Sequence, residues 1–272
     1  MAITKAIPEV WAARILQALL DEHVFGGPQV VNREYEGDIS EYGDTVHIIG
    51  VGNVAIKDYT RDTDIAQPDA LTDNEQLLVI DQAKYFNFAV DDIDQAQTRP
   101  KLMDEAARTA AWGLRDKSDE YLAAMMWADT TNVVGGAGVP AANGGAYDLL
   151  VDIGVVLSNA NVPDTGRFAI VPPAFEGFLV KDDRFIHATT SGDEVLRNGR
   201  IGRAAGFDIF KSNNVGAGRV QAGHPMATAF AEQLLETVPY SPERRFADAL
   251  KGLYVYGGKV VRGSALAHAT FT

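Results

Sequence analysis

The sequence predicts an α+β protein, and three observations support this fold class. Apolar residues alternate with smaller or polar ones over much of 45–91, which is typical of β-strands. A long stretch at about 100–127 repeats its apolar residues at the helical period. Towards the C-terminus, 253–256 and 259–262 are rich in residues that favour strands.

The composition excludes several classes of protein. None of the 272 residues is cysteine, so disulfide frameworks, thiol nucleophiles and thiolate metal sites are excluded. No stretch approaches the ~20 apolar residues of a transmembrane helix, and the start lacks the apolar run of a signal peptide. We therefore expect a protein that is made and kept in the cytosol. The net charge of −13 is opposite to that of a phosphate-binding surface, so sequence-specific DNA binding is not expected.

The first predicted elements are a short amphipathic helix at 9–22 and a long two-stranded arm. So small a helix cannot bury its apolar face alone, so it must dock on this subunit or on another. The arm is predicted from alternating residues in its two strands: Val46, Ile48, Val54 and Ile56, then Leu77 and Val79. Between the strands, 61–75 is too polar for a core and predicts a projecting tip. An isolated ribbon is marginal in water, so we expect support from a neighbouring subunit.

The next predicted element is the helix at 100–127, about 42 Å long at ~1.5 Å per residue. Glycines at 135–145 then predict a flexible passage and a domain boundary. The elements predicted after it are a helix at 146–160, a strand at 167–171, a helix begun by Pro172 and Pro173, a loop at 188–200, and strands at 206–211 and 226–231.

The C-terminal segments are predicted to pair with 86–90 across the long helix, because both have the same β character. The first half and the C-terminus would then form one discontinuous domain, with 141–227 inserted.

We find no pattern that argues for catalysis, a cofactor or a metal. The glycines at 199–206 and 216–218 lack the remainder of a phosphate-binding or dinucleotide-binding fingerprint, and they predict turns. Asp91, Asp92 and Asp94 lack the glycine and glutamate that complete a calcium loop. The five histidines show no paired spacing, so each is interpreted as a surface or satisfied structural residue.

Five segments, in this order, resemble the major capsid (coat) proteins of tailed double-stranded DNA bacteriophages: 42–48, 58–65, 84–94, 202–214 and 245–262. The resemblance spans nearly the whole chain, and its specificity lies in the set. It implies the Hong Kong 97-like capsid fold, with an N-terminal arm at 1–36 and an extended loop at 37–83. The peripheral domain would hold 84–140, with a long spine helix, and 228–272; the axial domain would be 141–227.

The resemblance further implies a structural protein that is not an enzyme and needs no cofactor. Pentamers and hexamers of the chain would close into an icosahedral virion capsid around DNA, after assembly in the host cytoplasm. A separate scaffolding protein is expected, because no long segment precedes the arm helix, together with a portal and decoration proteins.

Subunit contacts are expected at Tyr59, Arg61, Asp62 and Asp64 of the extended loop. Its acidic tip would lie on a basic patch of the next subunit, for which Arg244 and Arg245 are the candidates. Some relatives cross-link a loop lysine to a neighbour's asparagine, but Lys57 lies in a strand arm and not at the tip, so no cross-link is expected. Two alternatives stay open: a bacterial nanocompartment (encapsulin-like) shell that encloses cargo enzymes, and a cytosolic α/β enzyme with a dispersed site.

Overall fold

The structure of the chain is a computed structural model. It describes residues 23–34, 43–51, 58, 61, 64, 73–91, 101–139, 144–182, 202–240, 242–243 and 247–272. The predicted helix at 9–22 and the predicted loop at 188–200 lie outside these residues.

Three α-helices and eleven strands form in the described part of the chain, with short 3₁₀-helices at Pro225–Ala227 and Gly263–Ala265. The helices are Lys101–Asp129 (α1), Gly145–Asn159 (α2) and Pro173–Val180 (α3). The strands are Thr45–Val51 (β1), Asp73–Val79 (β2), Gln82–Asp91 (β3), Asn132–Val139 (β4), Phe168–Val171 (β5), Arg203–Ala204 (β6), Phe207–Lys211 (β7), Arg219–Gly223 (β8), Thr228–Tyr240 (β9), Ala247–Val260 (β10) and Leu266–Phe271 (β11). No helix among these residues combines the length and the apolar character needed to cross a membrane.

The two-stranded arm is present as an antiparallel ribbon of β1 and β2, but its buried face differs from the prediction. Val46 lies opposite Leu78 in the register, so these two side chains share a face of the ribbon. Leu78 is buried together with Val46, whereas Leu77 and Val79 are 47% and 42% exposed. The prediction that Leu77 and Val79 form the apolar side of β2 is therefore wrong.

A three-stranded antiparallel sheet has the order β3-β10-β9. The predicted association of the C-terminal region with the strand at 86–90 is confirmed, since β10 pairs with β3 from Ala247↔Asp91 to Tyr256↔Gln82. The predicted partners differ, because 86–90 lie opposite 248–252 and not opposite 253–256 or 259–262. Helix α1 covers one face of this sheet, where the ring of Tyr121 meets that of Tyr256 edge-on at 5.5 Å. We call this side of the sheet the inner face and the opposite side the outer face.

A six-stranded sheet has the order β4-β11-β8-β5-β7-β6. It contacts α1 through the side-chain amide of Gln221, which donates to the carbonyl of Ala123 at 2.9 Å. The ring of His268 also stacks on Trp127 with their centroids 4.0 Å apart. Helix α1 therefore touches both larger sheets and holds them in a fixed relation.

The predicted flexible passage at 135–145 is only partly described, since 140–143 lie outside the described residues. Its first three glycines, Gly135, Gly136 and Gly138, do not form a linker. They lie in β4, which pairs in parallel with β11. The register shifts between Ala269 and Phe271, and Gly135 there has a φ of +71°. Glycine permits such a local irregularity in a strand at little steric cost, so these residues mark a bulge and not a linker.

The predicted domain division cuts across the six-stranded sheet. Its strands β5 to β8 fall within the predicted insertion 141–227, whereas β4 precedes the insertion and β11 follows it. The division of the chain into domains remains a prediction.

Candidate assembly surfaces

The segment 23–34 lies against α1 and along the edge of β9. Phe25, Val30 and Val31 are buried in the main apolar core. The amide of Asn32 donates to the carbonyl of Thr228 at 2.8 Å, and the amide of Phe230 donates to the carbonyl of Asn32 at 2.9 Å. These two bonds form a parallel β-bridge between Asn32 and Ala229. These contacts therefore fix the position of residue 23, from which the chain continues towards its N-terminus.

A buried group of polar side chains attaches this segment to the sheet and the helix. We call it the His23 cluster; it consists of His23, Arg33, Asp119, Glu232 and Tyr254. Nδ1 of His23 lies 2.9 Å from Oδ1 of Asp119, and Nε2 lies 3.2 Å from Oε2 of Glu232. Arg33 and the hydroxyl of Tyr254 each donate a short hydrogen bond to Glu232.

Asp119 also binds the backbone of the segment. Its carboxylate accepts hydrogen bonds from the amides of Val24 and Gly26, both at 3.1 Å. One carboxylate on α1 therefore fixes both the side chain of His23 and the turn that follows it. This turn is tight, because a Cβ atom on Gly26 would lie only 2.8 Å from Nδ1 of His23.

The cluster shifts the pKa values of its members. Burial lowers the pKa of His23, but Asp119 and Glu232 outweigh burial and raise it to about 9. Burial raises the pKa of Glu232, but His23, Arg33 and Tyr254 together bring it below its ordinary value. Burial, with the adjacent Glu232, raises the pKa of Tyr254 well above its ordinary value. At neutral pH, therefore, both the imidazole of His23 and the carboxylate of Glu232 are charged.

The His23 cluster is not arranged as a metal site. Asp119 and Glu232 contact different nitrogens of the imidazole ring, so the two carboxylates do not converge on one position. Throughout the described ranges, no group of three or more His, Asp or Glu side chains could hold a metal ion.

The base of the ribbon packs on one end of the outer face. Val46, Ile48, Leu78 and Ile80 of the ribbon form a second apolar cluster with Ala229, Ala231 and Val255 of the sheet. The side-chain amide of Gln76 also donates to the carbonyl of Val261 at 3.2 Å. The base of the arm is thus anchored within its own subunit.

Large side chains are exposed at the other end of the outer face, which we call its uncovered end. Tyr85 is 78% exposed there, and its register partner Leu253 is 37% exposed. The hydroxyl of Tyr240 donates to Oδ1 of Asn87 at 3.0 Å, and the ammonium group of Lys251 lies 5.5 Å from the centre of the Tyr240 ring. This end therefore presents aromatic and apolar surface with one cation, a combination that suits a protein partner.

The sequence-predicted contact residues are only partly within the described chain. Arg61 and Asp64 of the ribbon tip are both exposed. Tyr59, Asp62, Arg244 and Arg245 lie outside the described residues, as does Lys57. Sequence reasoning missed the uncovered end of the outer face, although alternation in β3 could have indicated Tyr85 and Asn87.

A protein-family model described as a phage capsid protein matches residues 74–269. No curated protein sequence matches the chain. A solved structure from Mycobacterium phage Che8 is 31% identical and covers 91% of each chain, with a TM-score of 0.72. The capsid structure of the cyanophage P-SCSP1u is 15% identical, covers 86% of this chain and 85% of that one, and has a TM-score of 0.69.

A virus-like particle from Pyrococcus furiosus is 13% identical, covers 96% of this chain and 98% of that one, and has a TM-score of 0.62. At this identity the likeness shows a shared fold. The family model covers well over half of the chain, and the Che8 structure agrees with it over nearly the full length. The chain therefore belongs to the phage capsid protein family and is a major capsid protein, a structural subunit of a viral shell.

Proposed function

We propose that copies of this chain assemble into pentamers and hexamers that close into an icosahedral shell around double-stranded phage DNA. The observation that carries the proposal is the uncovered end of the outer face, where Tyr85 is 78% exposed. A large aromatic side chain beside further apolar surface is typical of a contact that is buried on association.

The arm supplies a suitable occupant for this surface. Its base is fixed on its own subunit through the second apolar cluster, while Arg61 and Asp64 of its tip are exposed. The tip carries an excess of carboxylates, whereas Lys251 on the outer face is a cation. Contact between the arm of one subunit and the outer face of the next would repeat around a closed ring.

The finer arrangement is proposed on the resemblance. Residues 1–36 form the N-terminal arm, 37–83 the extended loop, 84–140 with 228–272 the peripheral domain, and 141–227 the axial domain. Helix α1 is then the spine helix. Assembly takes place in the host cytoplasm with a scaffolding protein, a portal and decoration proteins, and the protein has no catalytic role.

Microscopy and sedimentation of the expressed protein test the proposal. Alone or with its scaffolding protein, the chain should form closed shells or particles of capsomer size. A monodisperse monomer at every concentration, with scaffold present, would exclude shell assembly. A Tyr85→Glu variant should weaken assembly, while Tyr85→Phe retains the ring and should assemble normally. Equal assembly of both variants would remove the uncovered end of the outer face from the contact.

The alternative is a nanocompartment shell, for which the fold of the Pyrococcus furiosus particle is the supporting observation. The contents of purified particles separate the two functions. Particles from infected cells that contain DNA support a capsid, whereas particles filled with one enzyme support a compartment.

A further inference from the structure

The attachment of residues 23–34 depends on a small number of contacts. Three buried apolar side chains, the partly buried Val24 and one β-bridge bind the segment, and the His23 cluster supplies its charged contacts. The side chains of His23, Asp119 and Glu232 are almost completely shielded from water. A change of charge at this position therefore cannot be compensated by solvent.

The charges of the cluster balance only when His23 is protonated. Protonated His23 and Arg33 then face the carboxylates of Asp119 and Glu232, so the buried group is neutral in sum. Neutral histidine has a single N–H, and it can donate to one carboxylate only. The other carboxylate would then face a lone pair, and the buried group would carry one uncompensated negative charge.

We propose that the His23 cluster is a pH-dependent attachment of the N-terminal segment. With His23 protonated, residues 23–34 are held on α1 and β9. With His23 neutral, this attachment is weakened and the segment detaches more often, while the sheets and helices remain folded. The inference concerns the single chain, and it holds whether or not the shell assembles as proposed above.

The direction of the pH effect on attachment follows from the direction in which the pKa of His23 is shifted. The pKa of His23 is raised in the attached state to about 9, from 6.5 for an unperturbed histidine. Attachment is therefore fully stabilised below about pH 6.5, and the stabilisation is lost as the pH rises through about 9. The difference corresponds to roughly a 300-fold change in the equilibrium between attached and detached segment. Glu232 sets the acid limit of the pH range in which the segment is attached. Its pKa is lowered, so its carboxylate is protonated, and its contribution to attachment is lost, only in acid.

The other groups that face His23 do not titrate in this range. Tyr254 of β10 stays protonated, because burial and Glu232 raise its pKa well above 10. Phe230 of β9 meets the imidazole edge-on at 6.4 Å and is uncharged. On α1, Lys117 and Glu120 flank Asp119 but are exposed and bind each other at 2.8 Å.

Hydrogen exchange of the full chain between pH 7 and pH 10, corrected for the intrinsic exchange rate, tests the proposal. Protection of the amides of Val30 and Val31 should fall by about two orders of magnitude as the pH passes 9. Peptides from α2 should keep their protection, because that helix packs against β4, β11 and α3. A His23→Gln variant should show low protection in 23–34 that no longer depends on pH. A matched His47→Gln variant should behave as the wild type, because His47 is exposed and binds Glu75 on the ribbon.

The wild-type titration needs no substitution, so it decides the question even where His23→Gln fails to fold. Unchanged protection of 23–34 from pH 7 to pH 10 would overturn the proposal. Equal loss of protection in 23–34 and in α2 would also overturn it, because the pH effect would then be global unfolding.

Discussion

The end of β2 lies directly against the backbone of β10, at Val79 and Gly257. A Cβ atom on Gly257 would overlap the carbonyl oxygen of Val79 and would lie 2.9 Å from Cα of Ile80. On the inner face, a Cβ atom on the adjacent Gly258 would lie 2.9 Å from Cε of Met125 in α1. Two consecutive glycines thus allow the ribbon and the long helix to approach β10 from opposite sides.

A Gly257→Ala substitution should therefore displace the base of the arm. Backbone atoms cannot move away as a flexible side chain would, so we expect a loss of about 1–3 kcal/mol in stability, as for other overpacked sites. Assembly should fall more steeply than stability, because the direction of the projecting arm changes. Thermal unfolding measures the first effect, and sedimentation measures the yield of particles.

Gly113→Ala is the matched control for this substitution. A Cβ atom at Gly113 meets no atom within 4 Å, and the residue lies inside α1. Alanine there should stabilise the helix by about 0.5–1 kcal/mol and leave assembly unchanged. If Gly257→Ala also unfolds and assembles as the wild type, the ribbon does not depend on close contact with β10.

Local sequence patterns predicted most of the elements and the association of β3 with β10, but they did not predict the other contacts between residues far apart in the sequence. The helix predicted at 100–127 matches α1 closely, because its periodicity is contained in the helix itself. The residues at 77–80 are all apolar, so alternation alone cannot choose a face of β2; the pairing of Leu78 with Val46 makes the choice. The glycines of β4 resemble a linker until β11, more than 120 residues later, pairs with them.

Local sequence patterns could not predict the His23 cluster for the same reason. Asp119 lies 96 residues from His23, and no spacing in the sequence relates the two. The strand β8 was also not predicted, since it is short, from Arg219 to Gly223, and ends in glycine. Its position between β11 and β5 requires both neighbours to be in place.

Arg167 should contribute strongly to the stability of the six-stranded sheet. Its buried guanidinium donates to the carbonyls of Pro163 at 2.8 Å, Gly154 at 3.2 Å and Val162 at 2.6 Å. These bonds join the end of α2 to the start of β5. Arg167→Leu leaves these carbonyls without this donor, at about 1–3 kcal/mol for each one that water cannot reach. The measurement is the midpoint of unfolding by urea.

The control for Arg167 is Asp164→Asn. Asp164 binds the same guanidinium at 2.7 Å, but its side chain is 85% exposed. Exposed ion pairs of this kind contribute about 0–1 kcal/mol to the free energy of unfolding, so the midpoint of unfolding by urea should change little. Equal shifts for the two variants would mean that the surface ion pair, and not the buried bonds to the backbone, stabilises this junction.

Mature particles should contain no isopeptide bonds between subunits. Lys57 is the only lysine between residues 6 and 83, and the sequence places it in a strand arm, away from the tip of the loop. After boiling in denaturant, the protein should migrate in gels near the 29.3 kDa of one chain. A ladder of multiples that survives boiling would contradict this prediction, and its loss in a Lys57→Arg variant would identify the lysine involved.

Reversal of the charges at Arg244 and Arg245 should weaken assembly without unfolding the subunit. The loop tip carries Asp62, Asp64 and Asp69 against Arg61 alone, and two more carboxylates, Asp73 and Glu75, follow at the start of β2. Like charges in one segment gain nothing by contact with each other, so the tip should bind a basic surface on the next subunit. In the sequence, Arg244 and Arg245 fall between β9 and β10 and are the candidates for that surface.

Each exposed ion pair contributes only about 0–1 kcal/mol, so a single contact has little effect. Around a closed shell of identical subunits, however, a small loss at each contact accumulates. Arg244→Glu with Arg245→Glu should therefore reduce the yield of shells, most strongly at low salt, where repulsion is least screened. Lys117→Glu with Lys181→Glu makes the same change in net charge elsewhere on the chain, which separates a local contact from general repulsion.

Circular dichroism measures the fold and sedimentation measures the shells. An unchanged yield at every salt concentration would remove the two arginines from the interface, and loss of the folded signal would instead make them structural.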